Sequence, residues 1–177
     1  MSLQGRRVAV LAEDNYQELE FWYPVMRLRE EGADVVVAAP LAGHAYESLL
    51  GYPLVAESTI EELDAEALDA VVVPGGEAGR RLQDSAAAIN LVRRVHERGG
   101  ITAAISTGTG LLAKAGTVRG RKVTGDESLS DQFREAGASY MEDSEVVADG
   151  PVITSRAPDD LPGFFRSIGQ ALRQEGE

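Results

Sequence analysis

The chain contains no cysteine and only two histidines, His44 and His96, among its 177 residues. The lack of cysteine excludes disulfide bonds, thiolate catalysis and zinc–thiolate sites. No run approaches the roughly 18 apolar residues that a membrane-spanning helix needs. Basic residues are also scarce: the chain has 17 lysines and arginines against 29 aspartates and glutamates, and its formal net charge is −12. This charge argues against nucleic acid or a membrane surface as a partner, because both carry charge of the same sign.

The amino terminus shows no secretory signal pattern, because the apolar run after Arg7 is short and is soon broken by Glu13 and Asp14. We therefore expect a cytoplasmic protein. Hydrophobic residues make up 44% of the chain and charged residues 26%, which is ordinary for a globular protein. The length suits one domain with a sizeable core, so we expect a single domain over residues 1–177.

Short apolar runs alternate with amphipathic stretches along the chain. The apolar runs predict strands buried on both faces, and the amphipathic stretches predict helices. The predicted strands are 8–12, 35–39, 70–73, 101–105, 121–124, 145–148 and 152–155. The predicted helices are 17–31, 60–68, 84–98, 107–115, 128–136 and 161–174. Residues 42–58 predict a hairpin or an irregular excursion, because Gly43, Gly51 and Pro53 interrupt them.

This alternation predicts an α/β fold of flavodoxin-like or Rossmann-like type, a three-layer sandwich in which helices cover both faces of a mostly parallel sheet. Such sheets bind ligands at the carboxyl ends of their strands, where the strand order reverses. The loops 13–20, 75–79 and 106–110 are expected there. Pro24 is expected to kink the first helix or to mark its start, and Ser128 with Asp131 has the spacing of a helix capping box.

Ser106 is the candidate nucleophile, because it stands where a buried strand turns abruptly into a helix. The surrounding residues, Ala-Ile-Ser-Thr-Gly, meet the Gly-x-Ser-x-Gly pattern only by half. A serine hydroxyl also needs a base. His96 lies late in a predicted helix and is expected to be solvated, whereas His44 could reach a cleft. A Ser–His–Asp triad is therefore weakly supported, and the alternative for Ser106 is a turn or cap residue.

Two glycines and two carboxylates are candidates for the same cleft. Gly75 and Gly76 directly follow a buried strand, which predicts either a tight turn or half of an anion or oxyanion hole beside Ser106. Glu20 either complements the dipole of the first helix or faces the cleft, where desolvation would raise its pKa. Asp126 is expected near the same cleft. No metal-ligand spacing is present, so we expect no metal.

The chain resembles the ThiJ/PfpI family, part of the class I glutamine amidotransferase-like superfamily, over nearly its whole length. The matching segments are 20–24, 72–76, 103–108, 120–124 and 154–162, and the last is especially like the PfpI branch. The resemblance implies a flavodoxin-like sandwich and a homodimer or higher homo-oligomer. It also implies activities that include peptide hydrolysis, glyoxalase-type and proposed deglycase chemistry, and stress protection.

The resemblance also implies site residues. The family's elbow normally reads Ala-Ile-Cys-His-Gly, and a glutamate of the first helix hydrogen-bonds the nucleophilic cysteine. Here Glu20 matches that glutamate, Ser106 takes the place of the cysteine, and Thr107 replaces the histidine of the PfpI branch. We expect Thr107 and Asp126 to line the oxyanion or ligand site together with Gly75 and Gly76. Asp126 stands about where some members carry another histidine. The oxyanion-side loop of the family matches Gly75 and Gly76.

These departures predict that the family's thiol chemistry is absent. A free cysteine is partly ionised at neutral pH and a serine is not, and an ionised carboxylate raises the pKa of a neighbouring hydroxyl. We expect a catalytically impaired member that binds a small polar or carbonyl-bearing ligand without a cofactor, in stress response. One alternative is a hydrolase that uses Ser106 with His44 or a partner subunit's residue as the base. The other is a structural or regulatory dimer whose pocket is vestigial.

Overall fold

The computed structural model describes residues 2–174, and within them the chain forms eleven strands and six α-helices. The strands are β1 (Arg7–Leu11), β2 (Asp34–Ala39), β3 (Ala45–Glu47), β4 (Pro53–Val55), β5 (Ser58–Thr59), β6 (Ala70–Val73), β7 (Ile101–Ile105), β8 (Lys122–Val123), β9 (Ser139–Tyr140), β10 (Val146–Asp149) and β11 (Val152–Ser155). The helices are α1 (Glu18–Glu30), α2 (Glu77–Leu82), α3 (Ala86–Glu97), α4 (Thr109–Ala115), α5 (Ser130–Glu135) and α6 (Leu161–Gln174).

Seven strands form the central sheet, in the order β10-β11-β7-β6-β1-β2-β5. Every neighbouring pair is parallel except β10 with β11. In the register, Val10 of β1 aligns with Val37 of β2 on one side and Val72 of β6 on the other. The predicted flavodoxin-like α/β fold, with a mostly parallel sheet, is confirmed.

The core lies on both faces of this sheet, because the central strands β1, β6 and β7 are apolar except at Arg7 and Thr102. On one face, Val10 and Val72 pack with Phe21 of α1 and Phe164 of α6. On the other face, the alternate positions of the same strands pack with Leu91 of α3 and with residues of α4. Burial on both sides explains why these strands appear in the sequence as continuous apolar runs.

The strand order reverses at β1, since the chain goes to β2 on one side and later returns to β6 on the other. The loops that follow β1, β6 and β7 therefore meet at one edge of the sheet. This edge carries the amino-terminal turn of α1, the Gly75-Gly76 loop and the Ser106 turn. The three loops that the sequence placed together are thus neighbours.

Two predicted elements need correction. Residues 60–68 form no α-helix but only a 3₁₀ turn, Ala65–Ala67, where the Asp64 carboxylate accepts from the Glu66 N–H and the chain is extended again at Leu68. The predicted loop 75–79 contains the start of α2, which begins directly after Gly76. Six residues are too few to give a clear helical period, so the sequence pattern did not reveal this helix.

The region after α4 differs from the prediction as well. The predicted strand 121–124 is reduced to β8, which pairs with β9 outside the central sheet. Asp126, not Ser128, caps the turn that precedes α5, because its carboxylate accepts the Ser128 N–H at 3.0 Å.

Pro24 lies within α1 and does not start it. Residues 42–58 do contain a hairpin, formed by β3 and β4. Within residues 2–174, no helix is both long and apolar enough to span a bilayer.

Candidate functional site

Ser106 follows the fully buried strand β7 and has a left-handed backbone, with φ 55°. This conformation is uncommon for a residue other than glycine, asparagine or aspartate. It is fixed from two sides: the Ser106 carbonyl accepts the Thr109 hydroxyl at 2.6 Å and the Asp126 N–H at 3.4 Å. A 3₁₀ turn, Ser106–Gly108, then leads into α4. The predicted strand-to-helix turn at Ser106 is therefore present.

Gly75 and Gly76 pass so close to the Ser106 turn that side chains would not fit. A methyl group at Gly75 would lie 2.7 Å from Ser106 Cβ and 2.9 Å from Ser106 Oγ, and closer still to a carboxylate oxygen of Glu20. At Gly76, φ is +78° and a methyl group would lie 2.5 Å from the Asn15 carbonyl oxygen. The hydroxyl of Ser106 and the carboxyl group of Glu20 thus both lie beside the backbone of Gly75.

Glu20 lies in the first turn of α1 and is only 1% exposed. Its Oε2 accepts the Gly75 N–H at 2.8 Å. Burial raises the pKa of Glu20 to about 7, the Gly75 N–H opposes this rise, and the negative charge of Asp126 adds to it. Near neutral pH the carboxyl group therefore exists in both protonation states, so it can donate or accept a proton.

Thr107 is buried, and its side chain joins the two loops of the site. Its hydroxyl donates to the Gly76 carbonyl at 2.6 Å, and its own carbonyl accepts from Gln83 Nε2 at 3.1 Å. The Thr107 hydroxyl proton is thus engaged by the Gly75-Gly76 loop, and a contact of Thr107 with a ligand stays a prediction. Tyr16 and Gly76 form an antiparallel β-bridge. Its hydrogen bonds run from the Gln17 N–H to the Gly75 carbonyl and from the Glu77 N–H to the Asn15 carbonyl, so the Gly76 N–H takes no part in them.

Neither histidine is joined to Ser106 by a contact within the described part of the chain. His96 lies in the last turn of α3, which leads into the amino end of β7, whereas Ser106 follows its carboxyl end. Burial and then the charge of Arg121 lower the pKa of His96. His44 is exposed and its ring packs against Tyr46, with centroids 4.8 Å apart. Within residues 2–174 the Ser106 hydroxyl makes no hydrogen bond.

Two glutamine side chains support the elbow, and sequence reasoning missed both. Gln83 is 8% exposed, and besides holding the Thr107 carbonyl it accepts from Gln132 Nε2 at 3.2 Å. Gln132 Nε2 also donates to the Gly110 carbonyl at 3.1 Å. A methyl group at Gly110 would overlap the Gln83 amide, so this glycine makes room for it. A single buried amide side chain produces no periodic pattern in a sequence. The only sequence feature related to these contacts is Gly110, whose lack of a side chain leaves space for the Gln83 amide.

A cavity of about 270 Å³ lies beside Asp126. Its lining comes from the turn after β8, from the segment after β9 and from the end of β11. The lining residues are Gly125, Asp126, Glu127, Tyr140, Glu142 and Arg156. Because Asp126 bonds to Ser106 through its N–H and acts on Glu20 through its charge, this cavity adjoins the Ser106 site. Within residues 2–174, no group of three acidic, histidine or cysteine side chains is arranged to hold a metal ion.

The fold and the elbow together define a class of α/β protein in which a sharp strand-to-helix turn lies at the carboxyl edge of the sheet. The profile of the DJ-1/PfpI family matches residues 6–171, and the chain belongs to this family. An uncharacterized protein of Archaeoglobus fulgidus is 39% identical over 168 residues, which cover 95% of this chain and 99% of that protein. A protein of Thermococcus kodakarensis that is named a deglycase is 34% identical over 167 residues, 94% of this chain and 99% of that one.

Solved structures agree with this membership. A two-domain protein of Anabaena variabilis, which contains DJ-1/ThiJ/PfpI-like and ferritin-like domains, is 33% identical and superposes with a TM-score of 0.91. The match covers 94% of this chain and 50% of that protein, so the chain spans half of its length.

Proposed function

We propose that this protein binds a small polar or carbonyl-bearing ligand at Ser106 and does not perform the thiol chemistry that the family resemblance implies. One observation carries the proposal: Ser106 and the buried Glu20 both lie beside Gly75, and within residues 2–174 no histidine forms a hydrogen bond with the serine hydroxyl. A hydroxyl that lacks both the acidity of a thiol and a histidine base is a weak nucleophile. It remains a good hydrogen-bonding group.

The groups around Ser106 suit a carbonyl oxygen. With a pKa of about 7, Glu20 is protonated in a large part of the molecules at neutral pH and can then donate a hydrogen bond. The Ser106 hydroxyl can donate as well. A ligand carbonyl placed between them would accept from both groups without forming a covalent bond.

Binding is tested by titrating propionaldehyde and propionamide into ¹⁵N-labelled protein and following the amide signals. We expect saturable shifts at the Gly75-Gly76 loop and the Ser106 turn, and we expect Ser106→Ala to weaken them. Ser167→Ala is the matched control, because that hydroxyl bonds within α6 to the Gly163 carbonyl. Equal binding by the wild type and Ser106→Ala, or no shifts at these loops, would contradict the proposal.

A second candidate is a hydrolase of peptidase, esterase, glyoxalase or deglycase type that uses Ser106 as its nucleophile. Two observations favour it: the pKa of Glu20 lies where a general base works best, and a relative is named a deglycase. Glu20 would accept the hydroxyl proton while Ser106 Oγ attacks the substrate carbonyl. The tetrahedral adduct would then collapse, and the protonated Glu20 would give the proton to the leaving group. A serine-directed phosphonate should then label Ser106, and Glu20→Gln should abolish the labelling. Ligand binding without labelling of Ser106 would exclude the hydrolase and support only the binding proposal.

We also propose that the protein is a homodimer or higher homo-oligomer. Support comes from an apolar surface formed by α1 and the β3–β4 hairpin, where Leu19, Met26, Leu50 and Tyr52 are each more than half exposed. A second copy of the chain would cover them. Sedimentation should show a dimer that Met26→Glu dissociates. Asn90→Glu adds the same charge at an exposed position of α3, on the opposite face of the sheet, and should leave the dimer intact. A monomer at every concentration would refute this. A cytoplasmic location and a role in stress response remain predictions.

A further inference from the structure

The cavity beside Asp126 adjoins the Ser106 site and offers groups that could select a ligand. Asp126 forms one wall, and the same residue donates its N–H to the Ser106 carbonyl. Tyr140 forms another wall, and its ring is stacked on Phe133 with the centroids 5.7 Å apart and the planes inclined by 11°. The Tyr140 hydroxyl donates to the Gly125 carbonyl at 3.4 Å. These contacts fix the shape of the cavity.

Arg156 is the one basic residue of this lining, and it is held rigidly. Its Nε and Nη2 donate to the two carboxylate oxygens of Asp160 at 3.1 and 3.3 Å. Asp160 is only 8% exposed, whereas the Arg156 side chain is 34% exposed. Within residues 2–174, Arg156 Nη1 makes no hydrogen bond. A planar donor group is therefore fixed at the cavity with one nitrogen left for a ligand oxygen.

The charges around the cavity impose a second requirement. Arg156 and Asp160 neutralise each other as a pair, which leaves the carboxylates of Asp126, Glu127 and Glu142 as the net charge. A ligand with only a carboxylate would be repelled by these groups. A ligand with only an ammonium group would leave the donors of Arg156 unused. A molecule that carries both groups satisfies both sides of the cavity.

We propose that Arg156 is the specificity-determining residue of the Ser106 site and that it selects small zwitterions, molecules with a carboxylate and an ammonium group, as amino acids have. This inference rests on the proposed ligand-binding function. Arg156 binds the carboxylate, and Asp126 with Glu142 binds the ammonium group. A cavity of about 270 Å³ holds a molecule of this kind with few heavy atoms.

Three probes of similar skeleton test this inference: L-alanine, propionate and isopropylammonium, each titrated and followed by the amide signals of the protein. We expect L-alanine to bind about tenfold more tightly than either of the others, as charge-assisted hydrogen bonds at both ends imply. The double variant Arg156→Gln/Asp160→Asn removes the donor group without leaving the buried Asp160 charge unpaired. It should erase the advantage of L-alanine over isopropylammonium.

Two further variants complete the design. Glu142→Gln should reduce the advantage of L-alanine over propionate. Arg119→Gln changes an exposed arginine that has no ion pair within residues 2–174, and it should leave all three affinities unchanged. Equal affinities for the three probes, or an advantage of L-alanine that survives in the double variant, would overturn the inference.

The failure of this inference can be told apart from the failure of the proposed function. If propionaldehyde binding depends on Ser106 while L-alanine has no advantage, only the assignment of Arg156 is wrong. If neither probe gives shifts that depend on Ser106, both proposals are wrong.

Discussion

Ser106 holds a backbone conformation that its side chain disfavours, at a cost of about 1–2 kcal/mol for a residue of this kind. The neighbouring contacts offset this cost, because the Ser106 carbonyl accepts hydrogen bonds from the Thr109 N–H, the Thr109 hydroxyl and the Asp126 N–H. The next residue, Thr107, is tied to the Gly76 carbonyl. These contacts hold the Ser106 side chain at the carboxyl edge of the sheet.

Ser106→Cys should restore a reactive thiol but not efficient hydrolysis. The thiol would sit over the Gly75 backbone beside Glu20, and a protonated Glu20 can donate to a thiolate. We expect peroxide to oxidise it to sulfinic acid faster than it oxidises the thiol of Ser167→Cys on α6, as mass spectrometry would show. Peptidase activity should stay low because no imidazole is joined to this position. Efficient peptide cleavage by the single variant would show that a histidine is not needed.

Glu20 should make stability depend on pH. Because its pKa is raised from 4.5 to about 7 in the folded protein, the folded state holds the proton more tightly than the unfolded state. This contribution is fully present below about pH 4.5 and is lost as the pH rises through about 7, for a total of at most about 3 kcal/mol. Glu20→Gln should therefore gain stability relative to the wild type as the pH rises.

Urea unfolding of both proteins at about pH 5 and about pH 8.5 measures this difference. Glu61→Gln serves as the control, because Glu61 is exposed. It should shift the free energy of unfolding equally at both pH values. A Glu20→Gln difference that stays constant with pH would mean that the carboxyl group is not buried as described.

At the scale of elements, the sequence predicted what depends on periodicity and missed what depends on contacts through space. Continuous apolar runs located β1, β6 and β7, and Ser106 and Gly75 could be placed at their ends. The helix α2 was missed because six residues hold less than two helical turns. The supporting role of Gln83 was missed because its partner, the Thr107 carbonyl, lies 24 positions away along the chain.

The Gly75-Gly76 loop should tolerate no side chain at Gly75. Gly75→Ala would push a methyl group into the Ser106 side chain and the Glu20 carboxylate, and overpacking of this kind costs about 1–3 kcal/mol. Gly43→Ala is the contrasting variant, because its φ is +68° and nothing lies within 4 Å of the added methyl group. The free energy of unfolding of Gly43→Ala should fall by only about 1 kcal/mol, the conformational cost of a positive φ. Chemical denaturation of both variants gives the comparison, and a Gly75→Ala protein as stable as the wild type would contradict the described packing.

At the scale of the whole molecule, the fold determines where the site residues lie, whereas the net charge affects the stability of the folded state. The sheet gathers Glu20, Gly75 and Ser106 at one edge by topology alone, and this requires no particular surface charge. The net charge of −12 is instead spread over the chain. It works against the compact state, because folding brings like charges closer together.

Salt should therefore stabilise this protein at alkaline pH. Raising the salt concentration to about 0.3 M shortens the Debye length to less than 10 Å and screens the repulsion among the excess carboxylates. We expect Tm to rise by a few degrees at about pH 8.5, where carboxylates are ionised. Near the isoelectric point, about 4.6, the net charge vanishes and the same salt should have little effect. Using Glu20→Gln for both measurements removes the titration of Glu20 from the comparison. A fall in Tm with salt at alkaline pH would mean that the ion pairs, such as Arg6 with Asp69 and Arg173 with Glu31, outweigh the repulsion.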